Sequence, residues 1–384
     1  MNAKHLSHNQ KTNLGSFYTP PRMVNLVYET LAKNAEGSFA DVVLEPACGY
    51  GAFFAEKFPQ ENVRFIGADI DPVALTVASK TFSNVEFKKI NMLSQISRSK
   101  FGIDENEKLA IVGNPPYNDV TSHVKNKIKS EPCEIDEEIK TRDLGLSFML
   151  ASAKLKPDYM AVLHPLSYLI KKTNFETLKP LMQNYELLDT VVFNSQEFSE
   201  TSKANGFPIA VAVYKRNRRG TSYEQIIKRK FRTLEKQEFS ISDFDYVCKY
   251  ISKYPSRYSK ASDFKFFTMR DINALKRSRT FIKEDCANTI YIPEEKLPYY
   301  CYVDIFKDIT PKLPYYFGNL DIPFDKDLFE KVKDDFFSLS IAKHPDIFCD
   351  KFSMPKNLQR AKNNVDNYFH NLFKGDLKIG VKNA

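Results

Sequence analysis

Two adjacent prolines, Pro115 and Pro116, fix the place where one strand of this chain must end. They follow the apolar run Leu109-Ala110-Ile111-Val112, which reads as a buried strand closing at Gly113. Each proline locks φ and lacks a backbone donor, so no sheet ladder can run through the pair. The strand therefore stops with the Asn114 side-chain oxygen and the Pro115 carbonyl as acceptors and the Tyr117 ring beside them. That set suits a planar aminated ring: two acceptors for an exocyclic NH2 and an aromatic face for stacking. The same four residues also fit a plain strand followed by a proline turn, so their surroundings decide.

Upstream and downstream, apolar strand-like runs alternate with helix-like segments. Strands are expected at 42–44, 63–68, 85–90, 109–112, 159–163, 187–193 and 209–214. Helical spacing marks 53–58, the stretch after Asp71-Pro72, and 144–155. This rhythm predicts an α/β fold with a mostly parallel, seven-stranded sheet covered by helices on both faces. The polar segment 118–142 is expected as a long loop with partial helix. After Tyr214 the rhythm ends at the basic connector Lys215-Arg216-Asn217-Arg218-Arg219-Gly220. The expected division is a first domain over 1–216 and a second, rich in aromatics, lysine and proline, over 217–384.

The loop after the first expected strand reads Leu44-Glu45-Pro46-Ala47-Cys48-Gly49-Tyr50-Gly51-Ala52-Phe53-Phe54. Gly49 and Gly51 allow a tight turn and a close backbone approach to a ligand. Asp69 ends the second strand, eighteen residues past Gly51, where a carboxylate can accept both ribose hydroxyls of an adenosine-containing cofactor. Phe54 stands where a diphosphate-binding loop carries its third glycine, and Glu45 would repel a diphosphate. An acid at 45 pairs instead with an ammonium group, which points to S-adenosylmethionine. Asn91 and Met92 follow the third strand, where the amide can accept from an adenine amino group and the thioether can pack on its ring.

Composition narrows the class. The chain has 384 residues, 42% hydrophobic and 27% charged, with a formal net charge of +8. These are the proportions of an ordinary globular protein, mildly basic and compatible with a polyanionic partner. No window reaches the apolar length that crosses a bilayer, and Met1-Asn2-Ala3-Lys4-His5 carries no signal core, so a cytoplasmic protein without a membrane partner is expected. Cysteines at 48, 133, 248, 286, 301 and 349 form no CxxC pair and no zinc-like spacing, which favours reduced thiols and no metal.

With these pieces in order, the first 216 residues resemble the gamma-class N6-adenine DNA methyltransferases of restriction–modification systems. Gly15-Ser16-Phe17-Tyr18-Thr19-Pro20 is similar to the family's leading motif, Glu45 to Gly51 to its cofactor loop, and Asn114-Pro115-Pro116-Tyr117 to its catalytic tetrapeptide. The resemblance implies a Rossmann-like S-adenosylmethionine-dependent methyltransferase fold followed by a C-terminal target-recognition domain. It implies a cofactor site lined by Tyr18, Thr19, Glu45, Ala47, Cys48, Gly49, Asp69, Ile70, Asn91, Met92, Asn114 and Pro116. Asn91 departs from the family, which commonly has Asp there. A second aromatic is implied opposite Tyr117, with Phe198 the candidate and Phe193 the alternative.

The implied reaction moves a methyl group to the N6 amine of a base rotated out of duplex DNA. Asn114 and Pro115 would hold the amine, while Tyr117 would only stack, so that Tyr117→Phe is expected to be mild. Lys228, Arg229, Lys230 and Arg232, with Lys276, Arg277 and Arg279, are the expected DNA contacts of the second domain. A separate restriction endonuclease is an implied partner. RNA adenine, a glutamine amide, or a catalytically inactive DNA-binding subunit stay open as alternatives, as does the oligomeric state.

Overall fold

The computed structural model describes residues 19–117, 134–198, 206–256 and 262–373. It divides into two compact units, Met1–Ser240 and Ile241–Ala384.

The first unit is built on one sheet in the order β3-β2-β1-β4-β5-β7-β6-β8-β9. Its strands are β1 (Val42–Glu45), β2 (Arg64–Asp69), β3 (Val85–Lys89), β4 (Leu109–Gly113), β5 (Tyr159–Pro165), β6 (Tyr185–Asn194), β7 (Pro208–Arg216), β8 (Phe231–Thr233) and β9 (Glu238–Phe239). The first five run parallel, and β7 lies antiparallel to both β5 and β6. Every residue of β1 and β4 is buried, as a central strand covered on both faces requires. The chain winds to one side from β1 and to the other from β4. Their C-terminal ends therefore flank the switch point where open α/β sheets bind ligands.

Helices α1 (Pro21–Asn34), α2 (Pro72–Thr81) and α3 (Leu144–Lys154) cover this sheet. Asp71 starts α2 by accepting from Val73 N at 2.8 Å and Ala74 N at 3.3 Å, with Pro72 at the first helical position. The expected helix over 53–58 is instead one 3-10 turn, Ala52–Ala55. Gly51 in the left-handed region precedes it and Pro59 follows Phe58, so neither end can extend.

The sheet has nine strands rather than seven, and the first unit runs on to Ser240 rather than 216. The cause is local. Phe231 and Thr233 are buried and alternate with exposed Arg232, which makes β8 a strand parallel to β6 inside what reads as a basic cluster.

In the second unit, helices α4 (Leu297–Ile309), α5 (Lys326–Lys343) and α6 (Leu358–Leu372) enclose an aromatic core. The Tyr302 ring meets Phe324, Phe336 and Tyr368 at centroid distances of 5.1, 5.0 and 5.6 Å. Buried among these helices, Asp304 accepts from Thr280 Oγ1 at 2.6 Å, Ser340 Oγ at 2.9 Å and His344 Nε2 at 3.0 Å. Burial alone would raise its pKa; the His344 and Thr280 bonds and the Lys343 charge outweigh it and hold the carboxyl below the usual range.

Candidate active site

The crevice begins at the end of β1. Glu45 is 3% exposed, and its Oε2 has no hydrogen-bond partner among the described residues. Burial first, and then the Asp69 charge, push its pKa well above the ordinary carboxylate value. A carboxyl stranded in this way is costly unless a cation reaches it.

Gly49, at φ +50°, turns the loop after Glu45. Its N–H donates to Asp69 Oδ2 at 2.7 Å, while Asp71 N donates to Asp69 Oδ1 at 2.9 Å. Burial raises the Asp69 pKa against the pull of these amides. The Ile70 N–H also bears on this carboxylate, so of its roughly four acceptor positions at least one is left for a ribose hydroxyl. Beside it, Ile70 is a large apolar side chain left 47% exposed.

Several expected contacts serve the loop itself. The Cys48 N–H goes to Ala68 O at 2.9 Å, and burial pushes its thiol pKa up, so Cys48 presents neither a donor nor a thiolate. The Gly49 donor is likewise taken by Asp69. Ala47 is half-buried at the same turn. Met92 is 2% exposed. Asn91 Oδ1 accepts from Leu93 N at 2.9 Å and its Nδ2 donates to Glu134 O at 2.7 Å. The Asn91 side chain therefore ties the turn after β3 to the segment before α3, and a base amine would have to use its second lone pair. Tyr18 and the rest of 15–18 lie outside the described residues, as does most of the expected loop 118–142.

At the end of β4, Gly113 adopts φ +152°, and the chain turns into the tetrapeptide. Asn114 Nδ2 donates to Thr19 Oγ1 at 3.1 Å, joining the segment that leads into α1 to the strand end. The Tyr117 hydroxyl donates to Asn114 Oδ1 and also lies 3.3 Å from Leu163 O in the C-terminal half of β5. Burial pushes the Tyr117 pKa well above its usual value, which keeps the phenol protonated. This corrects the expectation that Tyr117 only stacks, because its ring packs against the core and its hydroxyl touches the Asn114 amide. Behind it, Gly145 leaves room for the Tyr168 hydroxyl and the Pro116 carbonyl. Pro115 is buried and Pro116 half-buried.

Phe198 is buried among the described residues. It is 3% exposed, in one core cluster with Phe193, whose ring centroid is 5.8 Å away. An aromatic at this position is drawn into the sheet's apolar layer.

The first basic cluster is also reassigned. The Arg229 guanidinium donates to Leu187 O at 2.9 Å and Leu188 O at 2.6 Å, satisfying carbonyls where β6 slips register against β7. Lys228 pairs with Glu224 at 2.8 Å, Lys230 with Glu238 at 3.9 Å and Arg232 with Asp189 at 3.8 Å. All four belong to the first unit. In the second unit Lys276, Arg277 and Arg279 are exposed. Arg277 Nε donates to Asn273 O at 3.1 Å, and Arg279 lies 5.5 Å from the Phe267 ring centre.

Sequence reading missed the Tyr117 hydroxyl bond, the Leu163 carbonyl beside it and the Glu134 carbonyl at Asn91. None of these carries a motif, because each arises from chain ends that only the sheet brings together.

The family model for N-6 DNA methylase matches residues 3–238, more than half of the chain and across the crevice just described. The chain belongs to the N-6 DNA methylase family. It is an S-adenosylmethionine-dependent methyltransferase with a Rossmann-like sheet, and S-adenosyl-L-methionine is its cofactor. The residues present fit that group: the orphaned Glu45 carboxyl calls for a cation, and Asp69 keeps acceptor capacity for a ribose hydroxyl. No curated protein matches the chain. Among solved structures, one from Listeria monocytogenes assigned to class I S-adenosylmethionine-dependent methyltransferases is 13% identical, with 56% of this chain and 70% of that one covered and a TM-score of 0.37. Another, from Pyrococcus horikoshii and assigned as an RNA methyltransferase, is 12% identical, with 53% and 87% covered and a TM-score of 0.34. Both likenesses are too loose to speak about substrate. Among the described residues, no helix is long and apolar enough to cross a membrane.

Proposed function

We propose that this methyltransferase modifies the N6 amine of adenine in duplex DNA, as a gamma-class enzyme acting as the modification half of a restriction–modification system. The observation that carries the reading is the Asn-Pro-Pro-Tyr tetrapeptide at the β4 end, in the crevice that holds the stranded acid Glu45. The cofactor supplies an electrophilic methyl group when bound. Glu45 would hold its ammonium, Asp69 its ribose hydroxyls, and Ile70 its adenine ring.

An adenine amine is a poor nucleophile because its lone pair is delocalised into the ring. Asn114 Oδ1 and the Pro115 carbonyl, each accepting one amine hydrogen, would favour a pyramidal nitrogen and localise that lone pair. Alignment of the two reactants is worth roughly 7–11 kcal/mol in well-oriented cases. The amine must leave the base stack to reach this crevice. Lys276, Arg277 and Arg279 are the proposed phosphate contacts of a recognition role for the second unit.

Labelled methyl transfer offered in parallel to duplex DNA, RNA and protein tests the reading, followed by mapping of the modified group. Label in N6-methyladenine of duplex DNA is the expected result. Label confined to RNA adenine or to a glutamine amide overturns the DNA assignment. No label on any of the three, with cofactor binding intact, marks a catalytically inactive subunit.

A further inference from the structure

Asn114 must present its oxygen, not its NH2, to an incoming amine. A carboxamide turned by 180° would set donor against donor and hold nothing. The geometry points to Thr19 and Tyr117 as positioning residues that fix the orientation of the Asn114 amide through their hydroxyl groups. This rests on the reading of Asn114 as the holder of a substrate amine.

Both ends of the amide are engaged. Nδ2 donates to Thr19 Oγ1 at 3.1 Å, and Oδ1 accepts from the Tyr117 hydroxyl. The two hydroxyls differ in chemistry, and the difference gives the pair a direction. A phenol is the better donor and the poorer acceptor, because its oxygen lone pair is drawn into the ring; an aliphatic hydroxyl accepts well. Phenol at the oxygen end and threonine at the nitrogen end is therefore the favoured arrangement, and the turned amide would place a poor acceptor against Nδ2. Oδ1 retains a second lone pair for the substrate. Tyr117 cannot swing far, since its hydroxyl is also 3.3 Å from Leu163 O and its ring packs on the core.

The contact partners come from three separate places: the segment that leads into α1, the turn after β4 and the C-terminal half of β5. Thr19 is itself only 4% exposed, so its hydroxyl meets Asn114 in a buried setting.

Tyr117→Phe keeps the ring and removes only the hydroxyl that donates to Oδ1; Thr19→Val keeps the shape and removes only the hydroxyl that accepts from Nδ2. Each is measured for kcat and KM on whichever of the three substrate classes takes label, and for cofactor Kd by calorimetry. Each variant should lose about tenfold in kcat, the scale of one hydrogen bond, with KM and cofactor Kd changed less than twofold. Thr19→Ser should restore most of what Thr19→Val loses. Wild-type kcat in both Tyr117→Phe and Thr19→Val overturns the inference. So does a Thr19→Val loss that appears wholly as weaker cofactor binding, which would make Thr19 a cofactor contact. The amine-holding reading fails separately, if Asn114→Ala turns over normally.

Discussion

Asn114 and Thr19 stand 95 residues apart in sequence and meet through a 3.1 Å hydrogen bond. That contact joins the segment entering α1 to the strand that ends the central run of the sheet. It makes Asn114 a held group rather than a side chain in solvent. Asn114→Ala removes the amide and leaves the Glu45 and Asp69 end untouched. Methyl transfer should fall to background while the cofactor Kd stays within about threefold of wild type, since the deleted group belongs to the acceptor side. Single-turnover transfer beside calorimetric binding checks it, and parallel loss of both would place Asn114 in the cofactor site instead.

Glu45 gives a pH dependence of known sign. Its folded pKa is raised by burial and by Asp69, so the carboxyl takes up a proton as pH falls from above the usual carboxylate range. Only the ionised form pairs with an ammonium, so cofactor affinity should rise with pH across that interval. Without cofactor the linkage runs the other way: a raised folded pKa contributes stability at low pH that is lost as pH rises. Glu45→Gln should therefore melt higher than wild type at neutral pH in the absence of cofactor. It should also bind cofactor about 1.5–3 kcal/mol more weakly, the worth of a hydrogen bond to a charged group, and with a flat pH profile. A Gln variant with the wild-type pH profile would mean another group titrates.

The same residue shows what the sequence makes legible. Strands β1 and β4 are visible because a run buried on both faces must be apolar throughout, and their ends are marked by Glu45 and by Pro115-Pro116. The crevice follows from those ends. Less is visible where one residue serves two patterns. Arg229 reads as a phosphate contact, yet it caps the carbonyls of Leu187 and Leu188, and nothing in its neighbours announces the β6 irregularity. Phe231 looks like an aromatic among lysines and is a buried strand residue. The Tyr117 hydroxyl is the sharpest case: motif logic gives the ring a task, but its bond to Asn114 depends on how the β4 and β5 ends lie together.

Gly145 tests the packing behind the tetrapeptide. A Cβ added there would overlap the Tyr168 hydroxyl and come within 3.2 Å of the Pro116 carbonyl. Tyr168 is held by Asp143, which also starts α3 by accepting from Gly145 N at 2.9 Å, so it has little room to move. Gly145→Ala should cost about 1–3 kcal/mol of stability, the usual scale of overpacking. It should also lower kcat more than cofactor affinity, because the displaced atoms adjoin Pro116. A variant with unchanged melting temperature and unchanged kcat would show that the tetrapeptide is not wedged from behind.

Asp304 anchors the second unit and sets its acid limit. Its carboxyl is fully buried among Thr280, Ser340, Lys343 and His344, and its pKa lies below the ordinary value. A depressed folded pKa contributes stability that is present above the unfolded pKa and lost as pH falls through the folded one. Asp304→Asn should destabilise the unit by about 3–5 kcal/mol, the cost of breaking a buried charge pair, and should flatten its unfolding at acid pH. Denaturant unfolding followed at neutral and acid pH reads both effects, and an unshifted midpoint for the variant would contradict the buried-pair account.

The two basic clusters should separate in DNA binding. Lys228, Lys230 and Arg232 already face Glu224, Glu238 and Asp189, whereas no ion pair to Lys276, Arg277 or Arg279 occurs among the described residues. A cation already neutralised by a neighbour releases fewer counterions when it meets a phosphate. Reversing Lys276, Arg277 and Arg279 to Glu should weaken binding of the whole chain to duplex DNA. It should also reduce the slope of log affinity against log salt by roughly 0.9 for each phosphate that is no longer neutralised. Reversing Lys228 and Lys230 should change that slope by less than the share of a single phosphate. Fluorescence anisotropy at several salt concentrations makes the comparison. Equal slopes for the two variants would remove Lys276, Arg277 and Arg279 from the interface, because their lack of acidic partners among the described residues would then have no consequence for a polyanion.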